Sequence, residues 1–315
     1  MRTSLVTGGA GFIGSHLVDR LVASGDRVIV VDNLSTGTLG NLSESMDSIE
    51  FIESDVETSE VGEHIDRIFH LACVANPRDY AAMQPSVLSS ASLGTRRMLD
   101  IAERDSSRFY YFSSSEVYGS HPQGEALSET SRSDVRLLTD RSAYLVAKMF
   151  GEQLSATARA EGIDSRIVRP FNVYGRRMDR KSSYGRVMVN FVRAARRGEP
   201  LVVNGDGLQT RSFCHVDDFI DALLSYDSVD EGVPVVNIGN PVSTRIIDLA
   251  ETVRGLVGSG SPIVHAPQVP FEPRFRCPDI SLIQSITGWS PRVSLEDGLS
   301  DIIGEEGGAF TPSEP

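Results

Sequence analysis

Positive charge, cysteine and tryptophan are all scarce. Thirty Lys and Arg stand against 43 Asp and Glu, a formal net charge of −13 in 315 residues. A chain this acidic is poorly suited to tracking nucleic-acid phosphates, so no nucleic-acid partner is expected, although a local basic pocket stays compatible with the total. The three cysteines, Cys73, Cys214 and Cys277, are odd in number and widely separated. That excludes a disulfide framework and a zinc spacing, and no metal site is expected. No apolar run approaches the roughly 18 residues of a membrane helix. The strand-like Leu5-Val6 comes so early that a signal peptide has no room. These absences lead to the expectation of a cytoplasmic, globular chain with no membrane partner. Apolar residues at 40% and charged residues at 23% are enough for a sizeable core. The length suits one large domain or two modest ones.

The first informative segment is Ser4-Leu-Val-Thr-Gly-Gly-Ala-Gly-Phe-Ile-Gly14. A short apolar run ends in glycines and gives way to the helical pattern Phe12, Ile13, Leu17, Val18, Leu21, Val22. A second strand, Arg27 to Val31, ends at Asp32. Strand, glycine turn, helix, strand and acid together point to a dinucleotide site. Gly8, Gly11 and Gly14 let the turn close and a pyrophosphate approach the backbone, while the helix start offers free N–H groups. Asp32 follows Gly14 by 18 residues, where a carboxylate can accept from both ribose hydroxyls. It would repel a 2′-phosphate, which favours NAD over NADP. Asp55, at the end of Phe51-Ile-Glu-Ser-Asp55, is offered to the adenine region. Phe12, Ile13, Asn33, Val56 and Leu71 complete the expected cofactor contacts.

Apolar strands alternate with amphipathic stretches to about residue 170, with strands at Arg67–Ala72, Phe109–Ser113 and Ser165–Arg169. This predicts an α/β fold, a Rossmann-type doubly wound parallel sheet covered on both faces. Beyond Pro170 the sequence predicts helices near Arg186–Arg197, Val216–Ser225 and Ile246–Val257. Strands are expected at Leu201–Val203 and Val235–Ile238, and a Pro-rich loop over 262–278. The expected division is an NAD domain over 1–170, with some later segments returning to it. A smaller α/β substrate domain over 171–303 and a flexible tail over 304–315 complete it.

Tyr144 and Lys148 are four apart, so on a helix they share a face. An ammonium beside a phenol stabilises phenolate, making a base that can take a hydroxyl proton while hydride leaves for nicotinamide. Alone, this pair is better explained by a packed Tyr and a solvated Lys. Ser113-Ser-Ser-Glu-Val-Tyr-Gly119 strengthens the case. It follows a strand, so its hydroxyls and Glu116 emerge at the carboxyl edge where ligands bind in such sheets.

These residues resemble the extended short-chain dehydrogenase/reductase family, in its sugar-nucleotide branch. The motifs are the Gly8/Gly11/Gly14 turn, Ser114-Ser-Glu-Val-Tyr-Gly119, Tyr144 with Lys148, and Arg169-Pro-Phe-Asn-Val-Tyr-Gly175. Within the branch the chain is most similar to the UDP-glucuronate decarboxylases. That similarity rests on His70-Leu-Ala-Cys-Val-Ala-Asn-Pro, Gly185-Arg-Val-Met-Val-Asn-Phe191, Gly207-Leu-Gln-Thr-Arg-Ser-Phe213, Asn237-Ile-Gly-Asn-Pro241 and Arg276-Cys-Pro-Asp-Ile280. The resemblance implies oxidation of a hexose at C4 by held NAD, then loss of the C6 carboxylate as CO2 through an enolate. It implies Tyr144 as the C4 base with Lys148 as its electrostatic partner, and Ser114 on the C4 oxygen. Ser115 and Glu116 would attend the carboxylate and C5. Asn172, Arg211 and Arg276 would hold the diphosphate, and Arg186, Val187 and Gln209 would line the nucleotide site. It also implies a homodimer built on the Tyr144 helix, to which the apolar Leu145, Val146, Met149 and Phe150 are suited. Three departures stand out: Leu145-Val-Ala between the Tyr and Lys, Asn204 where a Tyr usually meets uracil, and Val74 with Asn76 in the substrate loop. A UDP-sugar 4-epimerase, an NDP-sugar dehydratase and a non-catalytic NAD-binding regulator on the same fold are the competing readings.

Overall fold

The computed structural model describes residues 1–76, 81–119, 124–135, 137, 142–178, 187–268 and 274–307, with 306 and 307 by backbone alone. In chain order the strands are β1 (Thr3–Thr7), β2 (Arg27–Asp32), β3 (Ile49–Glu53), β4 (Arg67–His70), β5 (Arg108–Phe112), β6 (Ser165–Pro170) and β7 (Val173–Tyr174). They continue with β8 (Leu201–Asn204), β9 (Thr210–Ser212), β10 (Cys214–His215), β11 (Val235–Ile238), β12 (Ser243–Arg245) and β13 (Ile263–Ala266). Seven form one sheet in the order β11, β6, β5, β4, β1, β2, β3. Every pairing in it is parallel. β1, β2 and β5 are buried on both faces along nearly all their length, which is why they read as unbroken apolar runs.

Helices Phe12–Ala23 and Val216–Asp227 cover one face through Leu17, Val18, Phe219 and Leu223. Helices Thr95–Asp105 and Ser142–Ala160 cover the other through Leu99, Ala102 and Ala158. The chain order of the strands reverses between β1 and β4, and at such a switch point the carboxyl edge opens into a crevice. One close approach needs a glycine: a Cβ on Gly151 would stand 2.1 Å from the Tyr111 ring. Without that Cβ, the Ser142–Ala160 helix lies directly against β5.

A second cluster joins helices Val187–Arg197, Ile246–Val257 and Leu295–Gly307 around Val192, Leu201, Val253 and Leu299. Two segments from beyond residue 171, β11 and the Val216–Asp227 helix, pack on the first sheet instead. β13 corrects the expected 262–278 loop: it pairs in parallel with β8, Ile263 opposite Leu201. Four residues with exposed centres carry no readable alternation, so only the pairing reveals the strand. The last helix runs into the segment expected as tail. Glu305 there accepts from the Arg177 backbone N–H at 3.1 and 3.2 Å, and 308–315 lie outside the described residues.

At the amino edge of the sheet, buried charges replace apolar packing. Arg67 pairs with both Asp26 and Asp227, and Asp227 also accepts from Tyr110 Oη at 2.8 Å. Removing one partner of a buried ion pair is far costlier than the pair is stabilising. Asp227→Ala is therefore expected to lower the unfolding free energy by about 3 kcal/mol, the low end of the range because Asp26 still faces Arg67. Urea denaturation measures it, and an unchanged midpoint would show the cluster to be energetically neutral.

Candidate active site

The site begins with the turn after β1. Gly11 precedes helix Phe12–Ala23 without any side-chain cap, so the first-turn N–H groups face the cleft with no side-chain acceptor. Gly14 has to be glycine, because a Cβ there would stand 2.3 Å from Gly8 O. Asp32, at the end of β2, accepts from Ala10 N at 3.0 Å and Leu34 N at 2.8 Å. Burial nevertheless holds its carboxyl above the ordinary value. The chain then doubles back over the glycine turn, where Thr38 N and Asn41 Nδ2 donate to Ala10 O at 3.1 and 2.9 Å. Asp55 accepts from Asn33 Nδ2 at 2.6 Å. Free helix N–H groups, a buried carboxylate and a roofing loop fit a dinucleotide.

The second half of the site stands at the ends of β5 and β6. Lys148 is 4% exposed, and its Nζ donates to Phe112 O at 2.7 Å. The ammonium lies 5.6 Å from the Tyr144 ring centre and 5.4 Å from that of Tyr111. Tyr144 is packed among Val74, Val87, Ala91 and Ala147. Ser114 caps a single 3-10 turn, Ser115–Tyr118, and its Oγ accepts from Glu116 N at 3.1 Å. The hydroxyl proton is then available to donate to a bound oxygen. Glu116 Oε1 accepts from Arg276 Nη1 at 2.8 Å, while Arg276 Nη2 donates to Gly119 O at 3.2 Å. Behind β4, burial and then the Lys148 cation push the His70 imidazole down to about 3. Its ring nitrogens meet Thr7 Oγ1 at 2.7 Å and Thr95 Oγ1 at 3.1 Å.

These groups line one cleft of about 1490 Å3. Pockets for a single small ligand run to roughly 1,000 Å3, so the space suits two ligands end to end. Gly8, Gly11, Phe12, Ile13, Gly14, Asp32, Asn33, Asp55, Val56 and Leu71 line it, with Ser114, Ser115, Glu116, Tyr144, Lys148, Asn172 and Arg276. Asn172 holds a left-handed φ of 37° while its Nδ2 donates to Ser212 O at 2.9 Å. Such backbone strain concentrates at functional sites. Val187, Gln209 and Arg211 are not among the lining residues. Gln209 is buried with Nε2 on Asn204 O at 2.9 Å, and Arg211 Nη1 donates to Thr210 O at 2.8 Å. Arg186 lies outside the described residues. Arg276, expected on a diphosphate, lines the cleft and also donates to the Glu116 carboxylate. Sequence reasoning missed the lining residues Met83, Ser86, Ser89 and Ser90, and also Arg177 and Glu305. Three serines at helical spacing are the only signal for the first group; Arg177 lies two residues past the Arg169–Gly175 motif and outside it, and Glu305 belongs to no motif.

The model of the NAD dependent epimerase/dehydratase family matches residues 4–239. The chain belongs to that family, and the family is NAD-dependent. UDP-glucuronic acid decarboxylase 6 of Arabidopsis thaliana is 41% identical over 302 residues, covering 94% of this chain and 86% of the relative. The crystal structure of UDP-glucose 4-epimerase with UDP-glucose from Thermotoga maritima superposes with a TM-score of 0.86 at 29% identity, over 96% and 98% of the two chains. The UDP-glucuronic acid 4-epimerase of Bacillus cereus, in complex with UDP-glucuronic acid and NAD, gives 0.84 at 28% identity over 96% and 98%.

The raised Asp32 carboxyl makes a stability prediction. The folded chain holds this proton more tightly than the unfolded chain does. Its contribution is therefore fully present below the unfolded carboxyl range and is lost as pH rises through the higher folded value. Once ionised, the buried group is a net destabiliser. Asp32→Asn is expected to raise the melting temperature of the ligand-free protein at pH 7, with the gain vanishing toward about pH 4. Calorimetry across that range checks it; a gain that grows on acidification would contradict it.

Proposed function

We propose that this chain is an NAD-dependent UDP-glucuronate decarboxylase acting through C4 oxidation. The observation that carries the reading is the Ser114-Ser115-Glu116 turn, paired to Arg276 and lining the same cleft as Tyr144 and Lys148. The 41% identity to a plant UDP-glucuronic acid decarboxylase supports it. Bound NAD supplies a hydride acceptor at C4 and later a donor. Tyr144 takes the C4 hydroxyl proton, and the Lys148 ammonium favours the phenolate that does so. Ser114 donates to the same oxygen. The C4 ketone makes C5–C6 cleavage facile, since the electron pair left by departing CO2 spreads into an enolate. Glu116 and Ser115 stand at that end. Arg276 stays with the substrate diphosphate, and its bond to Glu116 links that group to the reaction end. Return of the hydride to C4, with the Tyr144 proton going back to the C4 oxygen and a solvent proton to C5, would give a UDP-pentose; release of the 4-keto pentose before that return would leave the cofactor as NADH. Asp32 takes the adenosine ribose, Asn33, Asp55 and Val56 the adenine end, and the N–H groups of the Gly11 to Gly14 turn the pyrophosphate. Asn172 and Arg211 stay with the substrate diphosphate, while Arg186, Val187 and Gln209 are assigned to the nucleotide end.

A homodimer in the cytoplasm is part of the same reading. Val146, Met149 and Phe150 are 37 to 49% exposed on the Tyr144 helix, and Leu88 and Leu93 are 43 and 64% exposed on the neighbouring segment. Such a strip suits burial against its own copy. Three free thiols suit a reducing compartment.

Purified protein incubated with UDP-glucuronate should yield CO2 and a nucleotide product lighter by that mass. Unchanged mass would make it an epimerase, and loss of water a dehydratase. Tyr144→Phe should keep its NAD and its fold while kcat falls by about 10²–10⁴-fold, the usual worth of a general base; near-normal turnover would remove Tyr144 from the mechanism. Phe150→Glu should shift the sedimenting species from dimer to monomer, and a dimer unaffected by it would place the interface elsewhere.

A further inference from the structure

Glu152 lies one helical turn beyond Lys148 and two beyond Tyr144, yet it does not line the cleft. Its carboxylate accepts three bonds. Ser113 Oγ donates at 2.5 Å, Arg169 Nε at 2.8 Å and Arg169 Nη2 at 2.7 Å. Arg169, at the end of β6, is fixed in turn by Tyr118 Oη at 2.9 Å and Glu129 O at 3.1 Å. Tyr118 donates to Asn237 Oδ1 at 2.6 Å, and Asn237 Nδ2 donates to Leu127 O at 2.8 Å. Leu127 N donates to Cys277 O, and Asp279 N to Leu127 O, both at 2.8 Å. These two bonds bracket the segment that follows Arg276, and Arg276 returns to Glu116. A closed ring of bonds thus runs beneath the reaction end of the cleft. It joins the base-bearing helix to the serine turn and the Glu116–Arg276 pair.

Stability alone is a weak reason for such a ring. A buried ion pair is seldom better for stability than an apolar pair of the same shape. What a bidentate carboxylate supplies is direction. Ser113 extends β5 and turns its hydroxyl to the helix, so Ser114, next in the alternation, turns toward the cleft. Lys148 holds the Phe112 carbonyl just before it. Two consecutive residues of the strand end are therefore tied to one helix, one by its carbonyl and the next by its side chain.

The geometry points to Glu152 as a positioning residue that sets the spacing between the Tyr144 phenol and the Ser114 hydroxyl. This rests on the reading that both groups meet the C4 oxygen. Misplacement of a reacting group by about 1 Å can lower a rate about a hundredfold. The test uses full-length protein with bound NAD and four variants: Ser113→Ala, Glu152→Gln, Glu152→Asp and the Ser113→Ala/Glu152→Gln double. Ser113→Ala removes only the bond to the turn. Glu152→Asp keeps the charge but loses its reach. Each single variant should lower kcat and the single-turnover rise of NADH absorbance together by about tenfold to a hundredfold. The KM for the sugar nucleotide should stay within about twofold, since the Ser113 hydroxyl is committed to Glu152 and Glu152 does not line the cleft. The double variant should be no worse than the more impaired single, as both changes fall on the Ser113–Glu152 link. A normal kcat in Ser113→Ala overturns the proposal. So does a Glu152→Asp variant at full rate, or a loss that tracks only the fraction of folded protein. Wild type is run in parallel: if it forms NADH with UDP-glucose but releases no CO2 from UDP-glucuronate, the decarboxylase reading fails. The same variants are then scored on UDP-glucose, because the absorbance reports C4 oxidation alone.

Discussion

A buried ammonium at the carboxyl edge of the sheet sets the terms for the groups around it. Taking a Lys head group out of water costs several kcal/mol unless acceptors replace the lost hydration. Lys148 finds the Phe112 carbonyl and two aromatic faces, those of Tyr111 and Tyr144. Each of these lies on β5 or on its own helix. The helix has to lie close against the strand for this, and Gly151 lets it, with no Cβ to strike Tyr111. The same cation helps keep His70 neutral, so that ring serves as a bridge between Thr7 and Thr95 instead of adding a second charge. The base, the strand end and the helix covering β4 are thus parts of one arrangement.

Arginine is used here in a way that net charge conceals. In so acidic a chain, an arginine in the cleft looks like a ligand clamp. Instead, Arg67, Arg166, Arg169 and Arg276 all meet Asp or Glu within the protein. Arg67 and Arg166 hold the amino edge together, and Arg169 and Arg276 organise the carboxyl edge. The excess of acid is spread over the surface as well. Arg20 with Asp221 and Arg27 with Glu50 are exposed pairs, which contribute little to stability.

Most of the cofactor half was legible in the sequence because its constraints are local. A glycine turn, a helix start and an acid at a strand end leave their mark within about 30 residues. Tyr144 and Lys148 were legible for the same reason. Elements built from distant pieces were not. β13 has a partner 62 positions earlier and too few residues to show a period. Arg276 meets Glu116 across 160 positions. Glu152 sits in an ordinary helical pattern, and only its three donors distinguish it. The serines of helix Gln84–Ser89 and of the π turn after it, Ser90–Gly94, form no motif, and only the packing of that helix on the Tyr144 helix brings them to the site.

β11 has a consequence for how the chain is made. It completes the sheet beside β6, yet it emerges some 65 residues after β6. Until it arrives, β6 is an open edge with unpaired amides, and open edges recruit other strands. The helix Val216–Asp227, which covers the sheet nearby, is equally late. The nascent chain therefore cannot finish its first sheet as the ribosome releases the first 170 residues. Non-local pairing of this kind slows folding and leaves partly built edges exposed. Cutting the chain near residue 170 would yield an adhesive fragment, not a smaller cofactor-binding protein.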